Sequence, residues 1–399
     1  MTEDDPDVGL GAVTVVVVTW NGAHLLPACL DGLAEQTIGS RTRVLVVDNA
    51  SVDGTADVLA RYPAVGVVRA PRNLGFAGGA TLGLAQVRTQ FAAVLNNDAR
   101  PDRDWLELLL EGFGPGVAAV TSKVLLDPAY VVLDVALDLS NGARVLADGT
   151  DVTSSVIARA VPGGAELAVP VQDGCAADVL VTDQLGAVRH RAKISSTTER
   201  FDVLNSTGGI LLPTGHGTDR GFLEIDRGQY DEAVDVFAVC GAAAAFRTDV
   251  GRALGWFDPW LFAYYEDLDL SWRARRAGWV VRFVPAARVR HRHAATSRLG
   301  SDMFVFHNRR NRLAVLARNA TMRQLMGVAS AVRSPRPTPV AALLTPLEQM
   351  SPQSLRRGRG AAALSFTARL PWLLRQRWSR RSIPSPTAPE SPTTGSPDW

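Results

Sequence analysis

Apolar positions in roughly the first 120 residues switch between two periods. A continuous β-branched run, Val13 to Val18, reads as a buried strand. Leu25, Leu26, Cys29, Leu30 and Leu33 then recur at three and four, as on one face of a helix. Val44 to Val47 is a second buried run, and a short helix from Asp53 to Arg61 follows with Ser51 as its cap. Val65 to Val68 is the third strand. A helix from about Gly78 to Arg88 leads to a fourth, Phe91 to Leu95, and Asp102 caps a helix carrying Trp105, Leu106, Leu108 and Leu109. Such alternation implies a parallel sheet covered by helices on both faces.

From about Val124 to Val236 the pattern breaks into short β-like pieces separated by Gly, Pro and Asp. Asp138 to Ser196 reads as an inserted β-rich lobe, and Asp219 to Tyr230 as a polar loop. Regular structure is expected again from Phe237, with helices at Thr248–Leu254, Asp267–Ala277 and Asp302–Arg318 and a strand at Trp279–Val284. The expected organisation is a flexible N-terminus (1–12), an α/β half (13–125), a β-rich insertion with loops (126–236) and a second half of regular structure (237–320). A helical basic tail (321–382) and a disordered Pro/Ser/Thr-rich end (383–399) complete it.

The 399 residues are 46% hydrophobic and 21% charged, which is globular composition with room for a large core. A net charge of +2 gives no reason to expect a nucleic-acid partner, although Glu3, Asp4, Asp5 and Asp7 crowd one end and arginines the last quarter. Three distant cysteines, Cys29, Cys175 and Cys240, argue against a disulfide framework and suit a reducing compartment. No signal pattern opens the chain, and Val13–Val18 is far below the ~18 residues of a membrane span. The expected location is cytoplasmic.

Candidate chemistry gathers at strand ends. Neither G-x-G-x-x-G nor a P-loop follows the first strand, where Thr19-Trp20-Asn21-Gly22 stands instead, so a nucleotide would be held by other devices. Asp48 ends the second strand and could accept the imide N–H of uracil or thymine, or could cap a helix. The glycines of Arg72-Asn73-Leu74-Gly75-Phe76-Ala77-Gly78-Gly79 would admit a close ligand or mark a tight turn. Asn96-Asn97-Asp98 closes the fourth strand, where a carboxylate is aimed at a cation or phosphate. Glu266-Asp267-Leu268-Asp269, flanked by Trp260, Phe262, Tyr264 and Tyr265, offers a positioned base beside sugar-stacking rings. Its other reading is an acidic first turn favoured by the helix dipole. His291 and His293 form the one close histidine pair, alternating with Arg290 and Arg292.

This ordered set resembles the family 2 inverting glycosyltransferases of the GT-A fold, in particular their rhamnosyltransferase-like and galactofuranosyltransferase-like branch. The residues that carry it are Val-Val-Thr-Trp-Asn (17–21), Val-Val-Asp-Asn-Ala-Ser-Val-Asp-Gly-Thr (46–55), Asn-Leu-Gly-Phe-Ala-Gly-Gly (73–79) and Asn-Asn-Asp (96–98). Residues 257–273, His-Arg-His-Ala-Ala-Thr-Ser (291–297) and Arg-Arg-Asn-Arg-Leu (309–313) follow in the family's order. The resemblance implies a Rossmann-like, mostly parallel α/β sheet carrying the lobe and a helical C-terminal region, with 13–125 as the nucleotide-sugar-binding half, acceptor-side loops within 126–236 and 237–320 as the acceptor and catalytic half. It implies that Asp48, Asn73, Thr19, Asn21, Gly75, Asn97 and Arg309 bind a nucleotide-diphospho-sugar, dTDP-rhamnose or a UDP-sugar. Asp98 and His291, with Asn96, would hold Mg²⁺ or Mn²⁺. Asp267 would be the base, with Glu266 and Asp269 orienting a glycan or polyprenyl-linked acceptor in cell-wall or surface polysaccharide synthesis. Asn-Asn-Asp departs from the family's Asp-x-Asp, and the lobe matches nothing in the pattern.

Two rivals are a catalytically silent nucleotide-sugar-binding scaffold and a sugar nucleotidyltransferase. Loss of Asp98 or Asp267 would signal the first, and a Gly-rich pyrophosphate loop after the first strand the second; the chain shows neither sign. The tail raises a separate choice. Leu364, Leu370, Trp372, Leu373, Leu374 and Trp378 lie among arginines over residues 355–381, as in a segment making peripheral membrane contact or as in a helix packed on the catalytic domain.

Overall fold

The computed structural model describes residues 12–136, 143–161, 164–171, 175–292, 301–333 and 352–378. The expectations for the first eleven residues, for His293 with the Ala-Ala-Thr-Ser after it, and for the last stretch from 383 lie outside them.

Strands β1 (Val13–Thr19), β2 (Thr42–Asp48), β3 (Gly66–Arg69), β4 (Phe91–Asn96), β5 (Ala99–Pro101) and β6 (Val117–Leu126) alternate with helices α1 (Leu26–Ala34), α2 (Thr55–Ala60), α3 (Gly75–Leu84) and α4 (Trp105–Glu111). The lobe follows with β7 (Ala129–Val135), β8 (Arg144–Ala147), β9 (Thr150–Asp151), β10 (Ile157–Val161), β11 (Gly164–Val171), β12 (Ala177–Thr182) and β13 (Val188–Ile194). Short strands β14 (Leu204–Ser206), β15 (Gly209–Leu211), β16 (Gly217–Asp219) and β17 (Val234–Val236) return the chain. Next come β18 (Ala243–Arg247), α5 (Thr248–Leu254), α6 (Glu266–Arg276), β19 (Val280–His291), α7 (Asp302–Asn319), α8 (Met322–Arg333) and a last helix, Pro352–Trp378.

The main sheet runs β17-β19-β6-β18-β4-β1-β2-β3. The block β4-β1-β2-β3 is parallel, as the alternation requires. Antiparallel β18 slips between β4 and β6 and so brings residues 240–242 to the ligand-facing edge. Val16 and Val47 lie in one apolar layer, Val13, Val15, Val17 and Val46 in the other, which is why these strands read as unbroken apolar runs. In the lobe, a three-stranded sheet (β10-β11-β7) and a four-stranded one (β13-β12-β8-β9) share a small core around Leu167, Val169, Val179 and Val181.

Several local expectations shift. Helix α3 starts at Gly75, ahead of Gly78, because its glycines are packing positions. A Cβ on Gly83 would stand 2.6 Å from Val16 Cγ1 and 2.8 Å from Val47 Cγ2, so their absence lets the helix lie directly on β1 and β2. Ser51 does not cap α2; its Oγ receives the Asn21 N–H, and Asp53 Oδ1 receives that of Thr55. Nor does Asp102 cap α4 with its side chain; its backbone carbonyl receives Trp105 N–H. Strand β19 runs past Val284 to His291, held by β6 and β5.

The last helix packs along α7. Leu373 is 1% exposed, and Arg369 lies over the Trp372 ring at 3.8 Å, so much of its apolar face turns inward. Leu364 and Leu374 remain exposed. Among the described residues no helix is long and apolar enough to cross a membrane.

Gly83→Ala is expected to destabilise the fold by about 1–3 kcal/mol, since two stiff valines must move. The usual effect of Gly→Ala inside a helix is a gain of roughly 1 kcal/mol. The sign of the shift in a urea-unfolding midpoint separates the two.

Candidate active site

Three parallel strands end level: Thr19 pairs with Asp48, and Val18 with Asn96. Antiparallel β18 begins at the same edge, Ala243 opposite Leu95. The residues just beyond these ends therefore share one space, where open α/β sheets take ligands. They line a cavity of about 460 Å³ that includes Trp20, Asn49, Asn97, Asp98, Cys240 and Gly241, and Glu266 and Asp267 line it too. Two acidic knots about 170 residues apart in sequence thus open onto a single cavity.

Part of the wall is built by amides. Asn49 Oδ1 receives Leu74 N–H at 2.9 Å, and its Nδ2 donates to Asn73 Oδ1 at 3.1 Å and to the Gly75 carbonyl at 3.0 Å. This locks the Asn-Leu-Gly turn; Gly75 has φ +70°, and a Cβ there would meet the Phe262 carbonyl at 2.3 Å. Asn73 and Gly75 face the cavity beside the half-exposed ring of Trp20, whereas Thr19, Asn21, Asp48 and Arg309 are not among its lining residues. Thr19 instead receives Asn97 Nδ2 at 2.9 Å, Asn21 Oδ1 receives Val52 N–H, and buried Asp48 receives Ser51 N–H.

Asp98 lines the same cavity. His291 Nδ1 meets Asn205 Oδ1 at 2.6 Å, which as an Nδ1–H donor leaves Nε2 as the acceptor nitrogen. Nε2 lies 3.1 Å from Asp98 Oδ1 and 3.2 Å from Asn96 Nδ2. A lone pair and a carboxylate oxygen converging at that distance suit a cation shared between them. Asp98 and His291 are a pair rather than a cage: no group of three or more His, Cys, Asp or Glu among the described residues could hold a metal alone. A diphosphate and water would complete such a shell, as is usual for Mg²⁺-type ions.

Helix α6 opens on two acids that line the cavity. Asp267 Oδ2 receives Gly241 N–H at 2.9 Å and Oδ1 receives Leu268 N–H at 2.7 Å, yet burial still raises its pKa. Burial and the adjacent Asp267 charge push Glu266 well above the usual carboxylate range, and Glu266 Oε2 has no hydrogen-bond partner among the described residues. Asp269 differs, and its expected role toward an acceptor is not supported by its place. It does not line the cavity. Fully buried, it bonds Arg273 at 2.9 Å, Arg318 at 2.7 Å and Asn319 at 2.9 Å. Burial alone would raise its pKa, but those guanidiniums bring it below the ordinary value.

The segment entering α6 is strained. Phe262, Tyr264 and Tyr265 have φ of 65°, 70° and 71°, a region costly for side-chain-bearing residues. Asn311 Nδ2 holds it through the carbonyls of Leu261, Ala263 and Tyr264 at 2.7–2.8 Å, and Arg310 Nη2 adds bonds to Trp260 and Leu261.

Sequence reasoning passed over Trp20, Asn49, Asn205 and Asp219. Asp219 looked like part of a polar loop, yet it ends β16 on the cavity wall. Burial raises it to about 6, with the charge of Asp267 adding to the effect.

A profile described as Glycosyl transferase family 2 matches residues 14–126, and one described as Glycosyl transferase family group 2 matches 221–374. The chain carries glycosyltransferase family 2 domains. Between those matches lie the lobe and the β15–β16 hairpin. Glycosyltransferase AglE of Haloferax volcanii is 30% identical over 100 residues, 24% of this chain and 33% of the relative. The pre-mycofactocin glycosyltransferase of Mycobacterium tuberculosis is 34% identical over 119 residues, 28% of this chain and 23% of the relative. The chain thus spans a third or less of the length of these curated relatives. The crystal structure of GalNAc-T7 with UDP, GalNAc and Mn²⁺ shares the fold, at a TM-score of 0.50 and 16% identity over 90% of this chain and 58% of that one. The glycosyltransferase fold is the GT-A type expected from the motifs.

Asp219 supplies a pH test. Its folded pKa of about 6 lies above the unfolded 3.8, so the folded chain binds the extra proton within that window. Its contribution to stability therefore falls as pH rises from 3.8 to 6 and stays unfavourable above. Asp219→Asn should stabilise the metal-free protein by about 1–3 kcal/mol at pH 7.5, and by almost nothing near pH 4. Urea titrations at both pH values check this; equal effects would refute it.

Proposed function

We propose that this family 2 glycosyltransferase performs a metal-assisted inverting transfer of a sugar from a nucleotide-diphospho-sugar to a hydroxyl of a glycan or polyprenyl-linked acceptor, in cell-wall or surface polysaccharide synthesis. The donor is a dTDP- or UDP-sugar, dTDP-rhamnose first among them. The observation that carries the reading is the opening of Asp98 and Asp267 onto one cavity whose wall also includes Asn73 and Gly75.

The protein's own part follows from the geometry. Asp267 takes the proton of the acceptor hydroxyl, its carboxylate fixed by Gly241 and Leu268 N–H and its basicity raised by burial. The acceptor oxygen forms its bond to the anomeric carbon as the bond from that carbon to the diphosphate oxygen breaks, on the opposite face. Attack from the face away from the leaving group inverts the centre. Asp98 and His291, with Asn96 beside them, would hold a divalent ion, Mg²⁺ or Mn²⁺, which when bound neutralises charge on the diphosphate as a Lewis acid. Trp20 and the Asn49–Asn73–Gly75 turn orient the nucleotide. Peripheral contact with an anionic membrane, where the acceptor is lipid-linked, falls to exposed Leu364, Leu374 and Arg375.

Asp267→Asn should lower kcat by roughly 10²–10⁴-fold while leaving the donor's KM within a factor of a few. Nucleoside diphosphate release across UDP- and dTDP-sugars, with and without Mn²⁺, reads this directly. Full activity in the variant would sink the assignment of the base.

A further inference from the structure

We infer that Asp219 recognises the ring hydroxyls of the transferred sugar and so selects the donor; the inference rests on the transfer reading above. Adjacent backbone positions give its location. Asn205 holds His291 on the cation side, and the next residue, Ser206, stands as a hydrogen-bond donor to Asp219. Cys240 is its second donor, and the residue after that, Gly241, holds Asp267. Asp219 thus sits between the group facing the leaving diphosphate and the group facing the acceptor, where the migrating sugar has to lie.

Its chemistry fits a polyhydroxylated, uncharged partner. Among the described residues no lysine or arginine forms an ion pair with Asp219; its hydrogen-bond donors are a neutral hydroxyl and thiol, and the titratable groups near it are Asp267 and His291. A carboxylate accepts hydrogen bonds and donates none, so a ligand matching it must bring O–H groups. Burial raises its affinity for protons, and the same desolvation strengthens a bond from a sugar hydroxyl. The position is also rigid. Asp219 pairs across the hairpin with Gly209, and the next residue, Arg220, lies over the Tyr230 and Phe283 rings at 4.6 and 5.1 Å. This hairpin falls outside both matched family stretches, as expected of a device that distinguishes one member's sugar from another's.

The test uses the full chain with UDP-glucose, UDP-galactose, UDP-N-acetylglucosamine, GDP-mannose and dTDP-rhamnose, then the ring-monodeoxy analogues of whichever donor is turned over. Asp219→Asn should lower kcat/KM for that donor by about 10–100-fold, the range for losing a charge-assisted hydrogen bond. UDP or dTDP alone, titrated by calorimetry, should bind both proteins equally. For one deoxy analogue the wild type and variant should differ by less than about 2-fold, because the hydroxyl and the carboxylate report one contact. An identical ratio for every analogue overturns the inference, and so does a fall in kcat alone with donor preference unchanged. Recovery of the variant by excess Mn²⁺ would place Asp219 with the cation and also overturn it. A wild-type protein inert toward all five donors would refute the transfer reading itself.

Discussion

The side-chain amide of Asn311 shares two N–H groups among three carbonyls of residues 261–264, and the entry into α6 depends on that bond set. Phe262, Tyr264 and Tyr265 would relax out of the left-handed region without it. The same segment reaches the other half of the molecule, since the Phe262 carbonyl receives Ala77 N–H at 2.9 Å and lies against Gly75. One clamp therefore ties the start of α6, with Glu266 and Asp267, to the Asn73–Gly75 turn. Asn311 lies within the Arg-Arg-Asn-Arg-Leu motif at 309–313, and with Arg310 it braces the backbone of residues 260–264.

Adjacent carboxylates on α6 meet opposite fates from the same burial. Asp269 is neutralised by Arg273 and Arg318, and its pKa falls. Glu266 and Asp267, three and two positions earlier and facing the cavity, have no such partner among the described residues, and their pKa values rise. A buried charge left uncompensated is unfavourable for folding. Its presence on a cavity wall marks the wall as a place of chemistry.

Most of the frame was legible because its signals are local. Unbroken valine runs gave β1 and β2, and the periodic stretch at 248–254 became α5 with the expected ends. What failed depended on distant partners. The glycines of α3 looked like a loop because nothing local tells a turn from a helix pressed on a sheet. Asp269 looked like a cavity residue until Arg318, 49 positions later, claimed it. Asp219 carried no signal, since an Asp in a Gly-rich polar stretch looks like any turn, and only the hairpin with Gly209 brings it inside.

The lobe leaves the main sheet at the end of β6 and rejoins it at β14, where Leu204 pairs with Leu125. Exit and entry are thus neighbouring strands, about 4.8 Å apart. An excursion anchored that way can change in length without shifting the register of the strands beneath it.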